Sequence, residues 1–135
     1  MSICLKSLAK QLNIESNVHF LGFRRDIKEL LKASDIFVFS TFQEGMPRSM
    51  MEAMARGLPC IASRVRGNID LICDLEGGYL LSANDDKAFA EKIEYLSENP
   101  GLREEMSRAN IERIKKYDVK IVSEKISKIY KEVLN

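Results

Sequence analysis

The sequence has little of the chemistry that often reveals a site at first sight: it contains no tryptophan, one histidine and three cysteines. The cysteines, Cys4, Cys60 and Cys73, have neither zinc-finger nor Cys-x-x-Cys spacing, and an odd number cannot form a fully paired disulfide framework. We therefore interpret them as free thiols of a protein in a reducing compartment. His19 falls within an apolar run and is interpreted as a side chain on a sheet, not as a catalytic base.

A strong charge of either sign is also missing. Lys and Arg number 21 and Asp and Glu number 20, so the formal net charge is +1 and gives no reason to expect a nucleic acid partner. No apolar run approaches the roughly 18 to 20 residues that cross a bilayer, and residues 1–6 lack the layout of a signal peptide. The 135 residues are enough for one domain with its own core, which we expect to be cytoplasmic.

Short apolar runs alternate with segments of helical periodicity, which is the pattern of an α/β fold with a parallel sheet. The run at residues 35–40 is apolar on both faces and is predicted to be a central strand. Asp26 is predicted to cap a helix, as is the cluster Asn84–Asp86. The predicted strands cover residues 18–22, 35–40, 58–63 and 79–81. The predicted helices cover about 3–12, 27–33, 47–56, 69–73, 86–96, 102–116 and 119–134.

The most informative segment, residues 44–59, places two carboxylates eight positions apart: Glu44 in a Gly-Pro turn, and Glu52 in a run of Met and Ala. A carboxylate among such side chains is costly unless a polar group meets it. The segment follows a predicted strand and begins a helix, which is where open α/β sheets bind ligands. Free amides at a helix start attract phosphate, and Gly45 lets a ligand approach the backbone. Carboxylates accept hydrogen bonds from hydroxyls, so the segment suits a sugar nucleotide.

A plainer interpretation of the same carboxylates is electrostatic. Arg48 and Arg56 lie four residues before and after Glu52, so either one could form an ion pair with it on a single helix. Glu44 could equally be an exposed loop residue or an acid near the helix N-terminus, where the helix dipole favours negative charge. From the spacing alone both interpretations stay open, and the ion pair is the more common outcome.

An ordered series of motifs resembles the donor-binding domain of glycosyltransferase family 4, whose members are retaining enzymes of the GT-B fold. The series runs through essentially the whole chain. It implies a Rossmann-like parallel sheet of about four strands with flanking helices, forming the C-terminal half of a GT-B glycosyltransferase. The motifs are Phe20-Leu21-Gly22, residues 35–40, the Glu-x7-Glu signature of residues 44–52, Gly57-Leu58-Pro59, residues 63–68 and residues 77–81.

The resemblance implies a role for each matching position. Glu44 would contact hydroxyls of the transferred sugar, and Glu52 would hold the ribose hydroxyls. The segment Phe23-Arg24 lies where the nucleotide base meets the main chain in this family. The family generally works without a metal, so no metal site and no cofactor beyond the nucleotide-sugar substrate is expected. Backbone groups of the intervening loop would face the sugar and diphosphate, at Gly45, Met46 and Pro47.

The same resemblance predicts parts that find no match in this sequence. The family's donor domain begins with two further strands and a loop whose Arg and Lys grip the diphosphate, and nothing before Val18 matches that loop. The acceptor-binding N-terminal domain is unmatched too, so no residue here is assigned as catalytic. We therefore expect residues 1–135 to be one partial donor domain, with C-terminal helices at about 102–134, that self-associates through unpaired strand edges.

The function implied by the resemblance is transfer of a glycosyl group from a nucleotide sugar to an acceptor hydroxyl with retention, in surface polysaccharide or glycoconjugate biosynthesis. The full enzyme would work in the cytoplasm at the inner membrane surface. The alternative hypothesis is an inactive fragment or interaction module that keeps the donor-domain fold. What separates the two is whether the Arg/Lys loop and the acceptor domain are supplied from elsewhere.

Overall fold

The computed structural model describes residues 2–134 of the chain as seven α-helices and three strands. The first half contains α1 (Ser2–Gln11), α2 (Ile27–Lys32), β1 (Phe37–Phe39), α3 (Arg48–Ala55), β2 (Cys60–Ser63) and α4 (Arg66–Leu71). The second half contains β3 (Gly78–Leu81), α5 (Asp86–Glu98), α6 (Pro100–Ile114), a 3₁₀ turn (Lys115–Tyr117) and α7 (Val119–Leu134). The order of helices and strands confirms an α/β fold.

The described strands form one parallel sheet in the order β1-β2-β3. All four residues of β2 are buried, as expected of a strand paired on both sides. Within residues 2–134 the prediction that residues 35–40 form a central strand is wrong, because β1 lies at the edge of the described sheet and Val38 remains 44% exposed. Its apolar character has another origin: Phe37 and Phe39 pack on one side of the sheet, and Ile36 on the other.

Residues 18–22 do not form the predicted fourth strand, so the described sheet has three strands instead of four. The segment has no regular secondary structure, and Phe20 and Leu21 are 39% and 51% exposed. A strand needs a neighbouring edge to pair with, and within residues 2–134 no strand pairs with this segment. The apolar run was present, but within residues 2–134 the pairing partner was not.

Two of the predicted helix ends rest on local chemistry that the structure confirms. Helix α3 ends just before Gly57, whose φ of +75° is the left-handed conformation that commonly terminates helices. Asp85 caps α5 by accepting a hydrogen bond from the Ala88 backbone N–H at 3.0 Å.

Other predicted helix ends need correction. Asp26 precedes α2 but makes no capping bond, because its carboxylate is bound by the Arg24 side chain. Helix α6 begins at Pro100, which was predicted to separate the helices, since a proline is well suited to a first helical position. Helix α4 spans Arg66–Leu71, earlier than the predicted 69–73, because the Ile69 N–H already bonds the Val65 carbonyl.

Two apolar clusters cover the two faces of the sheet, and β2 contributes to both because successive side chains point to opposite faces. Cys60 and Ala62 join Met50, Met54 and Leu71 in the cluster beneath α3 and α4. Ile61 points the other way, toward a second cluster that contains Tyr79, Phe89, Leu96 and Met106. The methionines of α3 are therefore core residues, and their packing fixes the face that this helix turns outward.

A buried amide joins α6 to the sheet. The Asn110 Nδ2 donates to the Leu58 carbonyl at 2.8 Å and to the Gly77 carbonyl at 2.7 Å. These carbonyls lie at the entries to β2 and β3, so one side chain satisfies acceptors from two neighbouring segments.

The first and last helices contribute much less to the core. The side chains of residues 119–133 in α7 are all exposed, and of residues 4–11 in α1 only Ala9 is buried. No helix in the described part of the chain has both the length and the apolarity required to cross a membrane.

Candidate functional site

The candidate site lies at the carboxyl edge of the sheet, where the loop after β1 meets the loop after β2. Ser63, the last residue of β2, joins the two through its side chain. Its Oγ donates to the Thr41 carbonyl at 2.6 Å and accepts from the Thr41 N–H at 2.9 Å. The Asn68 Nδ2 of α4 in turn donates to the Ser63 carbonyl at 2.8 Å. Neighbouring parallel strands thus bring residues 22 to 27 positions apart into one hydrogen-bonded group.

Glu44 sits in this loop with its backbone resting on the first turn of α4. The Gly67 N–H donates to the Glu44 carbonyl at 3.2 Å. Glu44 itself is half-buried, Gly45 and Met46 are exposed, and Pro47 is buried at the start of α3. The loop therefore holds the first glutamate by its main chain and leaves its carboxylate without a hydrogen-bonded or ionic partner among residues 2–134.

The same loop presents a run of unused backbone donors. Within the described residues, none of the N–H groups of residues 42–46 donates a hydrogen bond, and neither do those of residues 48–50 at the start of α3. Pro47 has no N–H and provides no side-chain cap. Unpaired amides beside a helix N-terminus attract anions, because the N–H groups and the helix dipole both favour negative charge. The arrangement is suited to a phosphate or diphosphate.

Glu52 lies one and a half turns into α3 on its exposed face. Met50, Ala53 and Met54 take the buried face, so the carboxylate does not bear the desolvation cost that its apolar neighbours in the sequence suggested. The ion-pair interpretation also fails: within residues 2–134 no Lys or Arg nitrogen comes within 4.0 Å of its oxygens, Arg48 and Arg56 included.

Glu52 borders an open cavity of about 530 Å³ between α3 and the junction of α6 with α7. The other carboxylate on the lining belongs to Asp118, and the cations belong to Arg48 and Lys115. The remaining lining residues are Met51, Ala55, Ile111, Ile114, Tyr117 and Val119. A mixed apolar and polar cavity with an uncompensated carboxylate on its rim can receive hydroxyl donors from a ligand.

Phe23 and Arg24 are not joined to either glutamate by a hydrogen bond or an ion pair within the described residues. Phe23 is 90% exposed. Arg24 is instead engaged with Asp26: its Nε donates to the Asp26 Oδ1 at 2.7 Å, and this bond holds the pKa of the Asp26 carboxyl below its usual range. Among the described residues, the structure therefore shows one hydrogen-bonded group around Glu44 and a cavity at Glu52, and it gives Phe23 and Arg24 no polar contact with either glutamate.

Sequence reasoning missed the residues that build the group around Glu44. Thr41 carried no visible motif, and Ser63 was recognised only as the first residue of the resembling run 63–68, because a hydroxyl at a strand end is common and its partner lies far away in sequence. Gly67 and Asn68 were recognised only as part of a resembling run. The sequence signal that could have found them is the position of Ser63 directly after a wholly apolar strand segment, where a polar side chain must find a buried partner.

Comparison with known proteins adds the family context. The family model described as glycosyl transferases group 1 matches residues 2–113. The chain is 40% identical over 82 residues to the UDP-Gal:alpha-D-GlcNAc-diphosphoundecaprenol alpha-1,3-galactosyltransferase of Escherichia coli, covering 61% of this chain and 21% of that protein. It is 34% identical over 117 residues to the N,N'-diacetylbacillosaminyl-diphospho-undecaprenol alpha-1,3-N-acetylgalactosaminyltransferase of Campylobacter jejuni, covering 87% of this chain and 31% of that protein. The chain thus spans about a quarter of the length of such relatives.

Solved structures share the fold over nearly the whole chain. A glycosyltransferase from Rickettsia africae superposes with a TM-score of 0.92 at 25% identity, covering 99% of this chain and 36% of that one. Anabaena HepE in complex with UDP gives a TM-score of 0.90 at 25% identity, with 95% and 36% of the two chains covered.

Proposed function

Because the chain belongs to the family of group 1 glycosyl transferases, we propose that it forms the donor-binding part of an enzyme that transfers a glycosyl group from a nucleotide sugar to an acceptor hydroxyl. The anomeric configuration is retained in this reaction. The proposal draws on the relatives, which are glycosyltransferases by name, and on a structural neighbour that holds UDP. The acceptor is selected by parts of such an enzyme that lie outside the matched quarter.

The observation that carries the proposal is the state of Glu52. Two arginines are placed one turn away on either side, yet the carboxylate pairs with neither and stays exposed beside the cavity. A carboxylate that is left free in this way can bind two adjacent hydroxyls of a ribose ring with charge-assisted hydrogen bonds. Arg48 and Arg56 act as its electrostatic neighbours, and not as its partners.

Each of the other site residues contacts one part of the nucleotide-sugar donor. Glu44 accepts hydrogen bonds from hydroxyls of the transferred sugar, and the main chain at Phe23-Arg24 meets the base. The free amides around Gly45 and Met46, with Pro47 opening the helix, receive the diphosphate. Preorganised dipoles of this kind stabilise the charge that develops on a leaving diphosphate. Donor binding therefore requires no metal and no further cofactor.

The biological setting follows from what the relatives act on. Two of them are named for acceptors built on diphosphoundecaprenol, and another for capsular polysaccharide biosynthesis in Staphylococcus aureus. We accordingly assign the enzyme to surface polysaccharide or glycoconjugate biosynthesis, on the cytoplasmic side of the membrane that holds such acceptors.

Calorimetric titration with UDP, GDP and ADP tests donor binding. We expect one of the three nucleotides to bind the wild-type chain weakly, and Glu52→Ala to lower that affinity at least about tenfold, because the ribose hydroxyls lose an ionised acceptor. Glu91→Ala is the matched control, since Glu91 is an exposed glutamate of α5 that has no ion pair among the described residues. Added EDTA should leave the affinity unchanged.

The alternative function, an interaction module without donor binding, is favoured if a demonstrably folded chain binds none of the three nucleotides. An affinity that falls equally in Glu91→Ala and Glu52→Ala would also contradict the assignment of Glu52. Either result leaves the family membership intact and removes the site.

We also propose that the chain self-associates. Within residues 2–134 the outer edge of β1 has no strand beside it, and Val38 is exposed there. An unpaired edge offers backbone N–H and C=O groups to another chain. Sedimentation velocity at increasing concentrations should show a rising sedimentation coefficient, and a sharp, concentration-independent melt of a monomer would contradict this.

A further inference from the structure

We propose that Gly67 is a positioning residue of the donor site, which sets the place of Glu44 by allowing the Glu44–Gly45 backbone to lie directly on the first turn of α4. The role deepens the function proposed above and rests on it. Gly67 itself touches no ligand in this scheme, because it acts through the loop that it supports.

The steric evidence comes from the space around Gly67. A Cβ at this position would lie 2.2 Å from the Gly45 carbonyl oxygen and 2.8 Å from the Glu44 carbonyl oxygen. Both distances are far shorter than a carbon and an oxygen tolerate, and both oxygens belong to backbone, which cannot rotate away as a side chain can. Gly67 lies within α4 and its φ is outside the left-handed region, so its backbone conformation alone would accept alanine. Space for the loop is therefore the reason for glycine.

The loop is also fixed by hydrogen bonds on both sides of its tip. On the α4 side, the Gly67 N–H donates to the Glu44 carbonyl. On the β1 side, Ser63 binds both the N–H and the carbonyl of Thr41, and Asn68 binds the Ser63 carbonyl. A shift of the backbone at Glu44 would carry the sugar-binding carboxylate with it. Because binding depends on placement within a fraction of an ångström, the close approach at Gly67 governs sugar recognition.

A purely structural role would look different. The three nearest atoms that a Cβ at Gly67 would meet all belong to the Glu44–Gly45 backbone, and none belongs to an apolar side chain of the core. The hydrogen-bonded group of Thr41, Ser63 and Asn68 also carries an energetic cost, because Asn68 Oδ1 is buried and has no partner in the described residues. A buried amide, Asn68, and a glycine, Gly67, thus both serve the geometry of one loop.

The chain contains a matched control for the test. Gly67 is the second residue of α4 and Gly101 is the second residue of α6, and a Cβ at Gly101 would meet nothing within 4 Å. Gly67→Ala and Gly101→Ala thus make the same chemical change at the same helical position. Only the first pushes on the Glu44 loop.

The first arm of the test needs no ligand. In ¹H–¹⁵N spectra of the full chain, Gly67→Ala should shift the amide resonances of residues 41–46, whereas Gly101→Ala should leave them in place. If the loop resonances stay where they are in folded Gly67→Ala, then α4 has yielded instead of the loop and the proposal is overturned. Should Gly67→Ala fail to fold while Gly101→Ala folds, the glycine would be required by the fold as a whole and not by the placement of one loop, and the positioning role would be overturned.

The second arm compares the affinities for UDP-glucose and for UDP by calorimetry. The ratio of the two isolates the sugar contact, so it should fall about tenfold in Gly67→Ala and in Glu44→Gln, and stay at the wild-type value in Gly101→Ala and Glu52→Gln. A ratio that is unchanged in Gly67→Ala, or reduced equally in Gly101→Ala, would overturn the positioning role. If the wild-type chain binds neither compound, the donor function fails for these probes, while the spectra of the first arm still decide whether Gly67 positions the loop.

Discussion

Helices α3 and α7 both carry an apolar stripe, yet only α3 buries it. Met50 and Met54 of α3 are fully buried between the sheet and α6, whereas Ile126 and Val133 of α7 are 48% and 77% exposed. The stripe in a sequence therefore tells which face of a helix is apolar, but not whether anything in the same chain covers it. The middle of the chain, residues 27–114, forms the core that holds the site, and α1 and α7 add little to it.

The largest expected contrast between these regions is in thiol chemistry. Burial raises the pKa of the Cys60 thiol to about 12 from its ordinary value of 9.0, while Cys4 on α1 is exposed. Because the thiolate is the nucleophile, a rise of this size lowers the reactive fraction of Cys60 about a thousandfold at pH 8. Alkylation by iodoacetamide, followed by mass spectrometry, should modify Cys4 rapidly and Cys60 only after denaturant is added. Comparable rates in the native chain would contradict the packed middle.

Truncation of one apolar side chain in each region gives the next largest difference. Leu96→Ala empties a fully buried position between α5 and the sheet and should lower the free energy of unfolding by about 3 kcal/mol, through lost burial and a residual cavity. Ile129→Ala removes an exposed side chain of α7 and should change it by less than about 0.5 kcal/mol. Urea denaturation measures both, and equal losses would show that α7 is packed in solution.

The buried amide of α6 provides a polar version of the same contrast. Asn110→Ala removes two buried hydrogen bonds, leaves the Leu58 and Gly77 carbonyls with only their bonds to Cys60, and should cost about 2 kcal/mol of unfolding free energy. Asn84→Ala is the control, because Asn84 is exposed and makes no hydrogen bond among the described residues. It should cost less than about 0.5 kcal/mol in the same urea titration. Similar midpoints for the two variants would mean that water replaces the lost donor.

Removal of residues 119–135 should have the smallest effect on the packed middle. The main contact of α7 is with the 3₁₀ turn, so the free energy of unfolding of what remains should change by less than about 1 kcal/mol. Helical circular dichroism falls in proportion to the residues removed. Loss of the cooperative unfolding transition in the truncated chain would show that α7 is part of the folding unit, and would contradict the difference between the two regions.

Whether a structural feature could be predicted from the sequence depends on whether it is determined by residues close together in the chain. The end of α3 and the cap of α5 were predictable because Gly57 and Asp85 act on their own helices through conformations and bonds that span a few residues. The strand at residues 18–22 was not predictable, because a short apolar run indicates only that a segment can pair. The edge position of β1 depends on which strands lie beside it, and no residue within β1 encodes that.

The same distinction separates the residues of the candidate site that the sequence revealed from those that only the structure revealed. Glu44 and Glu52 were found from their spacing and from resemblance, and the structure adds that Glu52 has no ionic partner within residues 2–134. The contacts of Ser63 with Thr41, and of Gly67 with Gly45, join segments 22 positions apart. Such pairs arise when two parallel strands end side by side, so the sequence can indicate that Ser63 needs a partner but not which residue that partner is.

The double anchoring of the loop after β1 has a consequence for how such a site changes over generations. Thr41 and Glu44 are fixed, while Phe42 and Gln43 between them are exposed, Phe42 to 76%. Substitutions at these two tip positions leave both anchors in place, so selection can exchange them without dislodging the carboxylate. Substitutions at the tip can therefore change what the loop contacts, whereas substitutions at Ser63 or Gly67 would displace Glu44.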